Sequence, residues 1–182
     1  MRYFKKLVGK DIYLSPMNSE DFEIYTKWLN CADVTKNLGN YSMVISLDSE
    51  RKSLEQMTTS GYNFAIVLAE SDTLIGNISL MDVNNLKRKA TLGLFIGDED
   101  NRNKGYGSQA IELLLDYGFN SINLHNIMLK VFATNTRAIA CYKKVGFTEC
   151  GRRREDNFID GEYIDTISMD ILEDEFRSRN SP

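Results

Sequence analysis

The 182-residue sequence is poor in the residues from which metal centres and disulfide frameworks are built. It contains one histidine, His125, and three cysteines, Cys31, Cys141 and Cys150, without a C-x-x-C spacing. An odd number of cysteines makes no disulfide framework, and a single histidine without clustered cysteines makes no zinc site. We therefore predict that the protein binds no metal and resides in the reducing cytoplasm.

Long apolar runs and prolines are also scarce. The longest uninterrupted apolar run, residues 64–69, is far shorter than the ~20 residues that a membrane-spanning helix needs. Residues 1–6 lead into no apolar segment of the kind found in secretion signals. The only prolines are Pro16 and Pro182, and no repeat or linker interrupts the chain. We expect one domain over residues 1–182, with its core at about 10–171, and no membrane association.

The charge balance narrows the choice of partners. There are 22 lysines and arginines against 26 aspartates and glutamates, a net charge of −4. A protein that grips nucleic acid through its phosphates is expected to be basic, so we predict no nucleic-acid partner. An acidic surface weakly favours a cationic small molecule or a basic peptide instead.

The order of apolar patterns predicts an α/β fold. A first strand is predicted at residues 11–14, ended by Ser15 and Pro16. Helical spacing then dominates up to residue 60, with one helix capped by Asn18 or Ser19 and running through Leu29, a short helical piece at 32–36, and another helix opened by Ser46 or Asp48. The three strand-like segments that follow are joined by turns short enough for an antiparallel meander. A helix led by Gly105 and running to about residue 120, a strand, a second helix and a closing hairpin come next. The expected sheet is mixed, mostly antiparallel and flanked by helices. Its predicted later strands are 63–70, 74–84, 89–96, 127–132, 148–155 and 158–171.

A turn with two glycines precedes the first of these later helices. Gly105 and Gly107 stand where the helix begins, just after a strand that ends at Ile96. The N–H groups at a helix N-terminus lack partners inside the helix, and glycine lets an anion approach them closely. Arg102 adds a permanent positive charge. The turn has the makings of a pyrophosphate site, although a glycine pair alone also occurs in turns that bind nothing.

Two other phosphate motifs can be tested against the same turn. The P-loop fails because Gly107 is followed by Ser108 and Gln109 rather than by Lys and Ser or Thr. The dinucleotide pattern G-x-G-x-x-A does match residues 105–110, but the next strand carries no acidic residue for the ribose. We therefore interpret the dinucleotide match as accidental and discount a nucleotide-dependent oxidoreductase.

A second informative stretch is NTRAIACYKKVGF, residues 135–147. Asn135 is a suitable N-cap and Gly146 a suitable residue just beyond the helix end, so a helix is predicted between them. Asn135 and Tyr142 are two helical turns apart and share a side of the helix. Taken alone, Tyr142 fits a core tyrosine bonded to a backbone carbonyl.

Together the two stretches resemble the GNAT superfamily of acetyl-CoA-dependent N-acetyltransferases. The shared pattern is Arg-x-x-Gly-x-Gly at a helix start, followed 28 residues after its last glycine by Asn-x-x-Ala-x₃-Tyr-x-Lys-x-Gly-Phe. Element order agrees over about residues 10–171, and the agreement is specific over 92–147. Residues 12–14, 28–30 and 161–165 are similar to the RimJ/RimL-type branch, which includes acetyltransferases of ribosomal-protein N-termini.

The resemblance implies acetyl-CoA as the cosubstrate and a role for each matching residue. Backbone groups of Phe95 and Ile96 would pair with the pantetheine arm, and one of their N–H groups would stabilise the oxyanion. Asn135 would contact the cofactor where two parallel strands separate, and Tyr142 would protonate the departing thiolate. The residues that would hold the pyrophosphate are Arg102, Asn103, Lys104, Gly105, Tyr106, Gly107 and Ser108.

The general base and the acceptor stay open. Some members of the superfamily carry a glutamate on the strand before the asparagine, where this chain has Lys130; a water chain or a carboxylate of Asp33, Asp82 or Glu99 would have to replace it. A peptide or protein N-terminal amine is the favoured acceptor. The alternatives are a spermidine-type polyamine or other small amine, or a non-catalytic acetyl-CoA-binding module. The oligomeric state is open, with a homodimer as one option.

Overall fold

A computed structural model describes residues 2–39 and 42–180, and an eight-stranded sheet runs through this part of the chain. The strands are β1 (Leu7–Val8), β2 (Ile12–Pro16), β3 (Tyr62–Leu68), β4 (Leu74–Asn84), β5 (Lys89–Ile96), β6 (Asn126–Phe132), β7 (Thr148–Ile159) and β8 (Glu162–Leu172). The helices are α1 (Phe22–Leu29), α2 (Ala32–Thr35), α3 (Leu47–Thr59), α4 (Tyr106–Asp116), α5 (Thr136–Val145) and α6 (Glu173–Asn180).

The sheet is mixed, as predicted. Its strand order is β1-β2-β3-β4-β5-β6-β8-β7. Strand β5 pairs with β6 in parallel over three residue pairs, from Lys89 with Asn126 to Thr91 with Met128. The pairs β1 with β2, β2 with β3, β6 with β8 and β7 with β8 are antiparallel. The predicted fold class, an α/β fold with a mostly antiparallel sheet, is confirmed.

Contacts within the chain divide it into two compact units. The first consists of Met1–Ser79 with Leu94–Leu113, and its core joins α1 and α3 to the sheet through side chains such as Tyr25, Trp28 and Leu54. Helix α3 begins with a capping box, in which Ser46 and Ser49 each receive the other's backbone N–H. Two N–H groups at the helix start are thereby satisfied, which fixes where α3 begins.

The second unit consists of Leu80–Gly93 with Leu114–Pro182. Beyond Asp116 the helical chain continues as a π-helical turn, Tyr117–Ser121, which packs closely against β6. A Cβ on Gly118 would lie 2.8 Å from Ile127 Cδ1, so the end of the Ile127 side chain would have to shift to admit one. Phe119 stacks on Phe176 of α6 with ring centroids 5.3 Å apart.

Several elements differ from the expectations. Strand β1 and helix α6 were not predicted, the long helix begins at Tyr106 rather than Gly105, and its last turn is π-helical rather than a continuation to about residue 120. The strand predicted at residues 11–14 is β2, which includes Ser15 and Pro16 instead of ending before them. A single domain over 1–182 stays a prediction, and residues 1, 181 and 182 lie outside the described residues. No helix among the described residues is both long and apolar enough to cross a membrane.

Candidate active site

The loop from β5 to α4 is held by its own side chains. Asp98 accepts hydrogen bonds from the backbone N–H of Asp100 at 3.2 Å and from Asn101 Nδ2 at 2.8 Å, which closes a 3₁₀ turn over Glu99–Asn101. Arg102 Nε donates to the carbonyl of Ile96 at 3.2 Å and Nη2 to that of Gly97 at 3.3 Å. The guanidinium therefore ties the loop to the end of β5, using two of its five donors.

The two glycines at the start of α4 have different reasons to be glycine. Gly105 has φ +84°, a conformation that favours glycine, and no heavy atom lies within 4 Å of where its Cβ would stand. Gly107 has no such backbone requirement, and a Cβ there would meet only Leu94 Cδ2, at 3.7 Å. Packing within the described residues therefore gives no reason for the missing side chain at position 107.

The N-terminus of α4 is fixed in direction by contacts with the loop before β2. Gln109 donates from Nε2 to Asp11 Oδ2 at 2.7 Å and accepts the Asp11 N–H at 3.1 Å. The hydrogen-bond ladder of the helix begins with the Gln109 N–H and the Gly105 carbonyl. The N–H groups of Tyr106 and Gly107 precede that ladder, and the helix dipole adds partial positive charge at this end. The arrangement suits a bound anion.

Helix α5, in the second unit, has both of its predicted ends. Asn135 Oδ1 accepts the N–H of Ala138 at 3.2 Å, as an N-cap does. Gly146 has φ +111° and closes the helix by donating to the carbonyls of Tyr142 and Lys143. The sequence therefore predicted both ends of this helix correctly.

Tyr142 lies on the buried side of α5. Its ring is 8% exposed and packs edge to face on Phe147, with centroids 5.9 Å apart. Its hydroxyl makes no hydrogen bond with the part of the chain that the structure describes. This differs from the interpretation of Tyr142 as a core tyrosine whose hydroxyl bonds to a backbone carbonyl. Burial raises the pKa of the phenol to about 12, so the hydroxyl keeps its proton at neutral pH.

The carboxylates considered as bases are solvent-exposed. Asp33 pairs with Lys36 Nζ at 3.0 Å, and this hydrogen bond lowers the pKa of the carboxyl group. Asp82 and Glu99 are exposed as well. His125 is half exposed, with its Nδ1 3.7 Å from Glu173 Oε2. No group of three or more His, Cys, Asp or Glu side chains suited to a metal ion occurs in residues 2–39 and 42–180.

The structure adds two polar groups that sequence reasoning missed. Glu50, in the first turn of α3, is 6% exposed, and desolvation raises the pKa of its carboxyl group to about 7. Asn77, on β4, is buried as well. In the sequence Glu50 stands among charged residues and Asn77 in an apolar strand. Only Asn77 carried a clue, since a polar residue inside an apolar strand predicts a buried amide.

The glycine-led start of α4, which follows the end of β5, is an arrangement that suits an anionic group. Residues 14–168 match the family described as Acetyltransferase (GNAT) domain. The chain belongs to this family. The predicted class, an acetyl-CoA-dependent acyltransferase, is thereby confirmed at the level of the family.

Individual relatives agree with the family. Spermidine N(1)-acetyltransferase of Vibrio cholerae is 36% identical over 107 residues, which are 59% of this chain and 61% of that protein. The uncharacterized N-acetyltransferase p20 of Bacillus licheniformis is 27% identical over 93% of this chain and 97% of its own. The crystal structure of the Vibrio cholerae enzyme in complex with CoA and spermine superposes with a TM-score of 0.84 and 26% identity, over 93% of this chain and 99% of that one. The RimJ/RimL-type branch is not confirmed by these matches.

Proposed function

We propose that the protein transfers acetyl from acetyl-CoA to a small primary amine, with a spermidine-type polyamine as the first candidate. The matched Vibrio cholerae relative is named for spermidine. The Vibrio cholerae spermidine N-acetyltransferase structure that superposes on this chain is a complex with CoA and spermine. Because the match spans only 61% of that relative's sequence, the substrate of this chain has to be tested directly. This reading replaces the peptide N-terminus as the favoured acceptor.

The observation that carries the proposal is the open position at Gly107. A Cβ at this position would meet nothing nearer than 3.7 Å, so the chain's own packing does not require glycine. A diphosphate approaching the N–H groups of Tyr106 and Gly107 would demand it, because a side chain would lie in its path. Acetyl-CoA carries such a diphosphate.

In the first unit, backbone groups would make most of the proposed contacts with the cofactor. The turn from Arg102 to Ser108 would hold the diphosphate, with Asn103 and Lys104 at its exposed side. The strand end at Phe95 and Ile96 would pair with the pantetheine arm. The Arg102 hydrogen bonds to Ile96 and Gly97 support this division, since they hold the turn and the strand end in one arrangement.

The reaction requires no covalent enzyme intermediate. The amine nitrogen, with its lone pair free, forms a bond to the thioester carbon; the C–S bond breaks, the amine loses one proton, and the thiolate gains one. A backbone N–H at Phe95 or Ile96 would stabilise the oxyanion. Tyr142 holds its proton at neutral pH and would supply it, or a hydrogen bond, to the sulfur. Asn135, whose Oδ1 caps α5, would use its Nδ2 toward the cofactor.

None of the three carboxylates considered as general bases is an evident acceptor for the amine's proton. Asp33 is paired with Lys36, and Asp82 and Glu99 are exposed. We propose that the amine's proton leaves to water. The acceptor is expected to be read by residues 22–60 and by the terminal hairpin. Asn40 and Tyr41, within 22–60, lie outside the described residues.

The test is amine-dependent release of thiol from acetyl-CoA. The panel consists of spermidine, spermine, a basic lysine-free peptide with a free N-terminus, and the same peptide with a blocked N-terminus. Each is compared with a reaction without amine. Release with the polyamines supports the proposal. Release with the free peptide alone supports N-terminal acetylation, and no release above the control, with acetyl-CoA still bound, identifies a binding module.

A further inference from the structure

One buried polar atom of the first unit is left without a partner. Asn77 is only 9% exposed, and its Oδ1 has no hydrogen-bond partner within the described residues. Buried carboxamide oxygens are nearly always hydrogen-bonded, since an unpaired one costs free energy. The Asn77 oxygen is therefore a place where an ordered water or a hydrogen-bond donor of a ligand can bind.

The pairing of β4 with β5 places Asn77 beside Phe95. The Gly97 N–H donates to the Ile75 carbonyl at 2.9 Å, which sets residue 75 opposite residue 97 in this hairpin. Two residues along each strand, position 77 lies opposite position 95. Side chains opposite each other in an antiparallel pair point to the same face of the sheet. Asn77 and Phe95 therefore share a face.

That face is otherwise aromatic. The Phe95 ring packs edge to face against Tyr25 and Trp28, with centroids 6.1 Å away in both cases. The Tyr25 hydroxyl is 3.5 Å from the carbonyl of Gly76, next to Asn77. Phe95 itself is only half-buried, so a ligand can reach this part of the strand from one side. Asn77 thus shares this face of the sheet with the ring of Phe95, which packs on two further aromatic rings.

We propose that Asn77 Oδ1 accepts a hydrogen bond from the attacking primary amine and is thus a positioning residue for acetyl transfer; this inference rests on the proposed function. A carboxamide oxygen can accept a hydrogen bond but cannot donate one, so it selects a ligand atom that carries hydrogen. A neutral primary amine has two N–H bonds and one lone pair. Donating one N–H to Asn77 restricts the directions in which the lone pair can point. With the thioester lying along the end of β5 beside Phe95, one of those directions would aim the lone pair at the thioester carbon.

The decisive variant is Asn77→Leu, which keeps the approximate shape and removes the acceptor. Because the oxygen is unpaired in the free protein, the variant should melt at the same temperature as the wild type or higher. Its kcat/KM for spermidine should fall about 10- to 100-fold, the range of a displaced substrate. The Kd for acetyl-CoA should be unchanged. Asn77→Asp, which retains an acceptor, should recover part of the lost kcat/KM as pH rises and the carboxyl group ionises.

Ser15→Ala is the matched control. Ser15 is fully buried on β2 but is satisfied, accepting the Phe4 N–H at 3.0 Å and donating to the Pro16 carbonyl at 2.9 Å. That variant should lower the melting temperature and leave spermidine kinetics unchanged. If Asn77→Leu behaves in the same way, or keeps wild-type kcat/KM, Asn77 is not a positioning residue. A wild-type protein inactive on every amine would instead refute the proposed function, and the melting temperatures would still show whether the oxygen is unpaired.

Discussion

The indole ring of Trp28 lies directly against the backbone of Gly97, leaving no room for a side chain at position 97. Trp28 belongs to α1, and Gly97 follows the last residue of β5. The same glycine gives its carbonyl to Arg102 Nη2. The contact therefore joins the helical part of the first unit to the strand end from which the glycine turn departs.

Replacing Gly97 with alanine should destabilise the protein. The added Cβ would overlap the indole of Trp28. Such overpacking typically lowers the free energy of unfolding by about 1–3 kcal/mol. Urea or thermal unfolding measures the loss. A variant as stable as the wild type would mean that Trp28 can move away without cost, and that the contact does not define the strand end.

Replacing Gly107 with aspartate should leave stability unchanged and weaken the binding of acetyl-CoA. A Cβ at this position would meet only Leu94 Cδ2, at an ordinary contact distance of 3.7 Å, so we expect the fold to keep its stability. Its negative charge would stand beside the proposed diphosphate, and the affinity for acetyl-CoA should fall by at least about tenfold. Calorimetric titration with acetyl-CoA measures this, and Gly107→Ala separates bulk from charge. Wild-type affinity in the aspartate variant would remove the turn from the cofactor site.

Replacing Tyr142 with phenylalanine should slow acetyl transfer by about 10²–10⁴-fold while sparing acetyl-CoA affinity, because only the proton donor is lost. Since the hydroxyl has no partner in the described residues, stability should change little. The pKa of about 12 further predicts that Tyr142 causes no loss of kcat between pH 7 and 9. Stopped-flow thiol detection measures the rate. A variant with full kcat would exclude Tyr142 as the acid.

Replacing Glu50 with glutamine should stabilise the protein at alkaline pH. Burial raises the pKa of Glu50 from 4.5 to about 7, so the protonated form favours folding. This contribution is complete below about pH 4.5 and is lost as pH rises through 7. Glutamine does not titrate, so its advantage should grow between pH 5 and 8 to on the order of 2 kcal/mol. Urea unfolding across this range measures it.

Glu55→Gln is the control for that series. Glu55 is exposed on the same helix, α3, so its replacement should give no advantage that grows with pH. An equal pH dependence in both variants would mean that net charge, rather than burial of Glu50, controls the effect.

The sequence was a good guide wherever a local rule decides the structure. Asn135 and Gly146 bound α5 because capping depends on the residue and its near neighbours. Ser46 starts α3 for the same reason. The glycine turn could be located too, since the fixed spacing of its arginine and glycines is visible in the chain.

The missed elements are too short or too polar to show a pattern in the sequence. Strand β1 has only two residues, too few for any periodicity, and exists because Leu7 and Val8 pair with β2. Helix α6 has one buried apolar residue, Phe176, too few for a helical pattern, and it is held by the contact of Phe176 with Phe119 and by the ion pair of Glu173 with Arg88 at 2.9 Å. Glu50 and Asn77 were missed because burial of a charged or amide side chain is decided by what packs over it.

Amine-dependent release of thiol from acetyl-CoA, measured with wild-type protein and with Gly107→Asp side by side, tests the proposed activity most directly. We expect the wild type to release thiol faster with spermidine than without amine, and the variant to lose this rate together with cofactor binding. Equal rates with and without every amine in the panel, from wild-type protein that binds acetyl-CoA, would contradict the assignment of an N-acetyltransferase.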